Sequence, residues 1–564
     1  MKINLGLAFV CAILAWNSGY AAGDPAQGKQ IFLQRCSICH RVEPNDGGGG
    51  QGPSLINLMN RKAGGAAQFP YTSALRQSGI HWDAATLDKF LKAPSALVPG
   101  TAMVIAVESA SDRANLIAYF ESLPTVPTAK NDDDIDIPVQ SRASADWKQD
   151  APGRVHSISA ASLPAAFATK SSRNFTEVVE KPAGAQLSLP SGFQIDVFTD
   201  ALLAPRKMLA AADGSIIVSE TVPGKVVVLA PSADGTHAGK ASTFAEGLKQ
   251  PFGMAFYPDA KNPRWLYIAE NNRIVRFSYR TGDAKARGPA EVVTNEVPGG
   301  VGHYTRDIAF EPDGKHFWVS VGSGSNVAES MPKKSPQEIK DWAAQQPLGA
   351  AWDSELHRAA VLEFDANNAG SPTLYATGIR NCVSLTVQPA NNALWCTTNE
   401  RDALGDDLVP DYSTRVQKSQ FYGWPWYYIG NNQDPRHPDE RPDLAGKIAI
   451  PDVLYQSHSA SLSLMFYAAN SGKSAFPSEY FGDAFAAFHG SWNRSLRTGY
   501  KIVRLRMDKN EPTGKYEDFL TGFIVDNKSV WGRPVGLLQL ADGSLLLSED
   551  GNNKIYRISY SKPH

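Results

Sequence analysis

From about residue 186 to the end, the apolar residues fall in short runs separated by turns rich in Gly, Asp and Asn. One phrase recurs: a turn such as Asp-Gly, an apolar strand ending in Ser/Ala-Glu or a similar pair, and often a second strand. It is read at "DGSIIVSETVPGKVVVL", "NPRWLYIAENNRIVRF", "DGKHFWVSVGS" (joined through an insertion to "RAAVLEF"), "NNALWCTTNERD", "GDAFAAFHGSWNRSLRTGYKIVRL" and "DGSLLLSEDGNNKIYRI". A preceding strand is visible for several, as "RKMLAA", "FGMAFYP", "TRDIAFEP", "CVSLTVQP" and "PVGLLQL". Six repeats with long insertions predict six small sheets, and a closed radial arrangement protects their edges. A pair of packed sheets in a β-sandwich would not repeat one phrase six times. The expected fold is an all-β six-bladed β-propeller over residues 186–564. Such rings carry their chemistry on loops at one end, near the axis. "VPGGVGHYTRDIAF", residues 297–310, is such a loop, which makes His303 a candidate base, although a lone turn histidine is the commoner finding.

The N-terminal part has a different pattern. "DPAQGKQIFLQRC" and "DRANLIAYFESL" read as amphipathic helices that open and close a small all-α domain, residues 23–124. Ahead of it, Lys2, an apolar core from Leu5 to Trp16, and small residues at Gly19, Ala21 and Ala22 read as an export signal over residues 1–22. The rest of the chain is then expected in the periplasm. No later stretch reaches the ~18 apolar residues of a membrane-spanning helix. Residues 125–185 begin as a Pro-rich, acidic tether, "PTVPTAKNDDDIDIPVQ". Trp147, Val155 and Leu163 call for burial, so the later part is expected to pack on the propeller.

Charge is almost balanced, with 55 Lys and Arg against 57 Asp and Glu for a formal net −2. No basic face for nucleic acid is expected. Of the five cysteines, Cys11 leaves with the signal. Cys382 and Cys396 flank two strands joined by a Pro-Asn-Asn turn, which makes a disulfide plausible in an oxidising compartment; two unpaired buried thiols are the alternative.

Cys36, Cys39 and His40 form C-x-x-C-H within "RCSICHRVEP", the attachment signal for c-type haem. Two thiols one helical turn apart reach two vinyl groups, and the adjacent imidazole is presented to the iron. A zinc half-site or a redox dithiol would also use two cysteines, but no second Cys or His pair occurs in this domain to complete a zinc site. Met103, in "APSALVPGTAM", is the candidate sixth ligand from a later loop, whereas Met59 in "SLINLMNRK" reads as core. His/Met ligation raises the haem potential and suits an electron acceptor. The segment resembles small cytochromes c, with Gly28 and Phe32 at the positions where their terminal helices cross.

From about residue 145 onward, "GHYTRDIAFEPDGKHFWVSVGSGSN", "TGIRNCVSLTVQP", "NERDALGDDLVPDY", "FYGWPWYYIG", "HGSWNR" and "WGRPVGL" resemble the sorbosone dehydrogenase-like family of pyrroloquinoline quinone (PQQ) enzymes. Relatives of that family include soluble quinoprotein glucose dehydrogenase and fungal pyranose dehydrogenase. The resemblance implies a propeller with PQQ over one end of its axis, and a histidine base, matched by His303, that takes a hydroxyl proton as hydride passes to the quinone. It implies Arg380 and Asn381 beside the quinone oxygens, Arg533 and Arg494 as cations for its carboxylates, and His489 and Trp492 lining the pocket. It also implies a Ca²⁺ ion, for which Glu400, Asp402, Asp406 and Asp407 offer hard oxygen ligands, Asp402 and Asp406 foremost. One departure stands out. The soluble glucose dehydrogenases place an Asp behind the base, where this chain has "VSVGSGSN", offering Ser323 or Ser325.

These readings combine in an exported dehydrogenase that oxidises a sugar or related alcohol or aldehyde and passes electrons through haem c to a downstream acceptor. Two other functions compete: a Ca²⁺-dependent hydrolase of the lactonase type, and a non-enzymatic electron-transfer or binding propeller. Both leave part of the chain unexplained.

Overall fold

The computed structural model describes residues 23–36, 40, 42, 52–66, 71–99, 101, 103, 105–125, 147–300, 302–469 and 471–561. The expected export signal, Cys39 and the acidic half of the tether lie outside these residues.

The N-terminal unit is helical: Pro25–Arg35, Ser73–Gln77, Ala84–Lys92, Pro94–Leu97 and Ala110–Ser122. Its first and last helices cross at Gly28, where a Cβ would lie 2.0 Å from the Asn115 carbonyl oxygen and 2.7 Å from Tyr119 Cβ. Only glycine admits that approach. One turn on, Phe32 packs edge-on against Phe120, with ring centroids 6.1 Å apart, and also meets Tyr119. Buried Arg113 ties the last helix to Asp88 at 2.7 Å and donates to the Val107 and Glu108 carbonyls.

Among the described residues, the second unit holds six antiparallel sheets of four or more strands. Blade one comprises Pro205–Ala210, Ile216–Glu220, Lys225–Pro231 and Ala238–Glu246; blade two Met254–Tyr257, Trp265–Glu270, Arg273–Ser278 and Glu291–Thr294. Blade three comprises Ile308–Phe310, His316–Val321, Ala360–Asp365 and Thr373–Thr377; blade four Cys382–Val387, Leu394–Thr398, Tyr412–Arg415 and Val453–Leu454. Blade five comprises Ser461–Phe466, Ala484–Phe488, Lys501–Asp508 and Glu511–Leu520, and blade six Pro534–Gln539, Leu545–Glu549 and Lys554–Tyr560. The fourth strand of blade six is Phe193–Thr199, taken from ahead of blade one, so the ring is closed by backbone hydrogen bonds. The first strand of each blade meets the first strands of its two neighbours around the axis. Phe252, Val383, Leu462 and Val535, from four different blades, pack together there.

The repeated phrase has a structural reason. Second strands such as Ile216–Glu220, Ala484–Phe488 and Leu545–Glu549 are buried along their whole length. Covered on both faces by neighbouring blades, they read as continuous apolar runs rather than alternating ones. Near their ends, the Ser219, Ser320 and Ser548 hydroxyls accept the N–H groups of Lys207, Asp307 and Gly536, on or just ahead of the adjoining first strands. The glutamates that close the phrase, Glu220, Glu270 and Glu549, then accept the N–H groups of Leu203, Lys249 and Arg533 on the loops leading inwards. Blade three breaks this pattern: Val321 stands where Glu220 and Glu549 stand in blades one and six.

Cys382 and Cys396 are disulfide-bonded between the first two strands of blade four, with Cα atoms 5.8 Å apart. The segment from residue 147 onward packs on the propeller. Val155–Ser157 adds a fifth strand to blade five, and Glu177–Val178 pairs in parallel with Ser529–Val530. Its burial differs from the sequence expectation. Val155 is 53% exposed, while Trp147 and Leu163 are half-buried. An added edge strand presents only alternate residues to the sheet, and the residue turned inwards is His156, whose Nε2 lies 2.9 Å from Asp518 Oδ1.

Candidate active site

Strands alternate in direction within each blade. Loops leading into first strands and loops joining second to third strands therefore emerge at the same end of the ring. That end carries His303, Arg380, Asn381 and Arg533 on the first kind of loop, and Ser323, Asp402, Asp406, His489 and Arg494 on the second.

The loop bearing His303 is held by its carbonyls. Arg306 donates to the His303 and Pro298 oxygens at 2.6 Å each, and Arg358 donates to Gly299 O. Asn271 and Gly300 exchange a reciprocal pair of hydrogen bonds. The half-buried His303 ring sits with Nδ1 3.0 Å from both the carbonyl and the hydroxyl oxygen of Ser323. The Ser323 hydroxyl spends its own proton on Ser325 O, 2.6 Å away, so its oxygen is left to accept. Two acceptors at Nδ1 place the ring proton there and leave Nε2 with its lone pair. Desolvation, reinforced by the Arg380 guanidinium, pushes the His303 pKa down to about 3. The ring is neutral at ordinary pH and able to accept a proton.

Gly322 brings two expected site residues together. A Cβ at this position would lie 2.5 Å from both His303 Cβ and Asn381 Oδ1. Asn381 Oδ1 is buried and has no hydrogen-bond partner within the protein. Arg380 is fully committed: it donates to Asn326 O and Oδ1, Asn399 O, Glu400 O and, at 3.4 Å, Asp402 Oδ2. All five of its N–H groups are used, so it offers a ligand its charge rather than a donor.

Arg533 begins a second chain of contacts. Its Nη2 donates to His489 Nδ1 at 3.0 Å, His489 Nε2–H donates to Asp550 Oδ1 at 2.7 Å, and Arg206 meets Asp550 Oδ2 at 2.5 Å. Burial and Arg533 push His489 down to about 4. Burial works against the Asp550 charge, but His489, Arg206 and Arg533 hold the carboxyl well below its usual range. The Nε atoms of Arg533 and Arg206 are buried without partners. Two cations flanking one carboxylate leave a net positive charge and spare donors.

The acidic loop is already engaged. Asp402 Oδ1 accepts from Asn493 Nδ2, which also donates to His458 Nδ1. Asp406 accepts from the Ser495 N–H and hydroxyl, while Arg494 donates to Asp406 O and to Asp407 Oδ1 at 2.6 Å. Glu400 is buried and pushed up to about 7 by that burial. Asp402 and Asp406 thus have partners of their own, and among the described residues the groupings of three or more metal-ligating side chains lie elsewhere. Trp492 stacks on Phe175, with centroids 6.2 Å apart.

In the haem-attachment stretch, His40 Nδ1 lies 2.7 Å from Pro53 O, and a Cβ on Gly52 would lie 2.4 Å from the imidazole. Donation from Nδ1 turns Nε2 towards a metal, the usual device for orienting a histidine ligand. Met103 is half-buried, with its N–H on Thr101 Oγ1. Cys39 lies outside the described residues. No helix among the described residues is long and apolar enough to cross a membrane.

Sequence reasoning missed Asn326, Asn493, His458, Asp550, Arg206 and Glu355. Asp550 alone carried a local signal, since it follows the closing Glu of the blade-six phrase. Arg206 lies in the first strand of blade one, and the others lie on loops whose neighbours are set only by folding.

A family model described as TrAA12-like matches residues 187–420 and 431–561, and one described as cytochrome c matches residues 25–124. A protein of Borreliella burgdorferi is 28% identical over 388 residues, covering 67% of this chain and 91% of its own. Cytochrome c2 of Rhodomicrobium vannielii is 48% identical over 116 residues, covering 20% of this chain and 91% of its own. Among solved structures, the holo PQQ domain of pyranose dehydrogenase from Coprinopsis cinerea superposes with a TM-score of 0.52 at 18% identity, covering 68% of this chain and 99% of that one. The iodide structure of the Trichoderma reesei family AA12 carbohydrate-active enzyme gives 0.54 at 18% identity, covering 69% and 100%. These two likenesses carry the fold. The chain belongs to the TrAA12-like family, and it bears a cytochrome c domain ahead of its six-bladed propeller.

Proposed function

We propose that this chain is a periplasmic quinohaemoprotein dehydrogenase, residues 23–124 holding haem c and residues 186–564 holding PQQ, that oxidises a sugar or related alcohol or aldehyde. The observation that carries the reading is the His303 ring: its Nδ1 is committed to Ser323 and its Nε2 is free to take a proton.

The residues fit both cofactors. PQQ is a polycarboxylate, and Arg533 and Arg206 present buried, unpartnered Nε atoms with a net positive charge. Asn381 Oδ1 is likewise unpartnered, beside the base. Arg494 keeps one unpartnered Nε but is otherwise spent on Asp406 and Asp407, so its part is smaller. For haem, Cys36 and Cys39 would make the covalent links, and His40, oriented by Pro53 O, and Met103 would hold the iron. Bound PQQ supplies a two-electron acceptor and bound haem c a one-electron carrier. Joining both sites in one chain gives the electrons an outlet at high effective concentration. Calcium fits less well, because Asp402 and Asp406 already have partners.

His303 Nε2 takes the proton of the substrate hydroxyl, and the oxygens of Ser323 stabilise the imidazolium through Nδ1–H. Arg380, held rigid by five hydrogen bonds, places a fixed positive charge near the reacting centre. The test starts from protein with haem attached and without quinone. PQQ and Ca²⁺ are added, and the haem absorbance is followed as aldoses, alcohols and sugar aldehydes are supplied. PQQ-dependent haem reduction is expected. Silence across the panel would favour a binding propeller, and lactone hydrolysis independent of PQQ a hydrolase.

A further inference from the structure

Behind Ser323, where a carboxylate was expected in direct contact with the base, the chain makes a short turn through Gly324 and Ser325. A buried carboxylate stands on its far side. Glu355 closes the 3₁₀ turn Asp353–Glu355 within the insertion between the second and third strands of blade three. Its Oε2 accepts the Gly324 N–H at 2.7 Å, and its Oε1 accepts the Ser325 hydroxyl at 2.6 Å. Ser325 O in turn receives the Ser323 hydroxyl proton. A Cβ on Gly324 would lie 3.2 Å from Glu355 Oε1, so glycine lets the carboxylate close on the turn. Glu355 is fully buried.

We propose that Glu355 is the positioning residue of the base. By gripping the turn at Gly324 and Ser325 it aims Ser325 O at the Ser323 hydroxyl, which fixes His303 as the Nδ1–H tautomer with Nε2 open to substrate. The inference rests on the reading of His303 as a base. It accounts for a glutamate sealed into the protein with both oxygens turned on one three-residue stretch. It also explains how the site dispenses with a carboxylate against the imidazole: the charge lies two residues further back, and orientation passes through oxygens that cannot themselves ionise.

The charged groups facing Glu355 are Arg358, which favours its ionised form, and Glu329, which opposes it. Burial outweighs the two donors and Arg358 and raises the carboxyl to about 7. Protonation removes the charge to which Gly324 N–H and Ser325 Oγ–H are directed, so the grip weakens towards acid pH while His303 is still neutral.

The experiment uses the full chain with its haem kept reduced and its histidine rings labelled with ¹⁵N. His303→Ala identifies the His303 signals by their loss. In the unmodified chain those signals are expected to report a proton on Nδ1 at pH 8, and to give way to a tautomer mixture as the pH falls through about 7. Glu355→Gln puts a donor where one acceptor stood and is expected to show the mixture at every pH. Ser325→Ala, which deletes only the hydroxyl link, keeps the test open if the first variant folds poorly, and is expected to give the same mixture. PQQ-dependent haem reduction should fall about fivefold in kcat with little change in KM, the value of the one Ser323 hydrogen bond that Glu355 aims. A pure Nδ1–H pattern in both variants would overturn the proposal. If the unmodified chain shows no PQQ-dependent turnover while the ring signals shift as described, the dehydrogenase reading fails and the positioning role stands.

Discussion

His303 Nδ1 is held 3.0 Å from two oxygens of the same residue, the hydroxyl and the main-chain carbonyl of Ser323. Only one of these can be removed by substitution. Ser323→Ala keeps the carbonyl acceptor and loses one neutral hydrogen bond, worth about 1 kcal/mol, or about fivefold in rate. His303→Ala removes the base itself and is expected to lower kcat by about 10²- to 10⁴-fold. PQQ should still bind to both variants, as read by titration of its absorbance. Equal losses in the two would place the catalytic group elsewhere.

Arg533 is expected to act on affinity rather than rate. With a buried Nε and a neutral histidine as its partner, it can give a charge-assisted hydrogen bond to a carboxylate. Arg533→Ala should weaken PQQ binding by about 10- to 100-fold, the value of such a bond, while turnover at saturating PQQ changes little. Equilibrium titration of the quinone-free protein separates the two effects.

His489 sets a pH dependence of stability. Its folded pKa of about 4 lies below the ordinary 6.5, so the unfolded chain takes up a proton that the folded chain refuses. The stability tied to this site is full above about pH 6.5 and is lost as the solution is acidified towards 4, amounting to about 2 kcal/mol by pH 5. His489→Asn loses two hydrogen bonds at neutral pH but escapes this penalty. Its deficit against the unmodified chain, read from denaturant midpoints, should shrink as the pH falls from 7 to 5.

Met103→Ala should leave the haem covalently attached and lower its reduction potential, because a thioether opposite the histidine favours the reduced iron. Potentiometric titration of the haem absorbance measures the shift. An unchanged potential would assign the sixth position to another side chain.

The disulfide of blade four closes a loop with a sequence separation of 14. Replacing Cys382 and Cys396 by serine should cost about 3 kcal/mol by chain-entropy reasoning. Midpoints under oxidising and reducing conditions should differ by this amount in the unmodified chain and not in the double variant.

How much of this could be read from the chain follows from range. The blades were legible because a second strand, covered on both sides, is apolar over its whole length and closes on a residue that bonds back to its own sheet. The first strand of blade five, Ser461–Phe466, did not stand out, since serines alternate with its apolar residues. His303 was legible by its place just before a first strand. Its support was not: Glu355 lies more than thirty residues after Ser323, in an insertion whose sequence says nothing about which turn it will face. The way Arg380 is held was not legible either: its donors go to Asn326 and to the carbonyls that follow the second strand of blade four. Val155 was misjudged because an added edge strand looks like any other strand until its neighbours are known.

The closure of blade six has a consequence for biogenesis. Phe193–Thr199 cannot pair with Lys554–Tyr560 until that last strand has been synthesised. Arg206, on the first strand of blade one, and Arg533, on the loop leading into blade six, belong to the two blades that meet at this seam. The pair Arg206 and Arg533 therefore sits at the seam that is closed last. The C-x-x-C-H stretch, in the first quarter of the chain, is made well before either arginine.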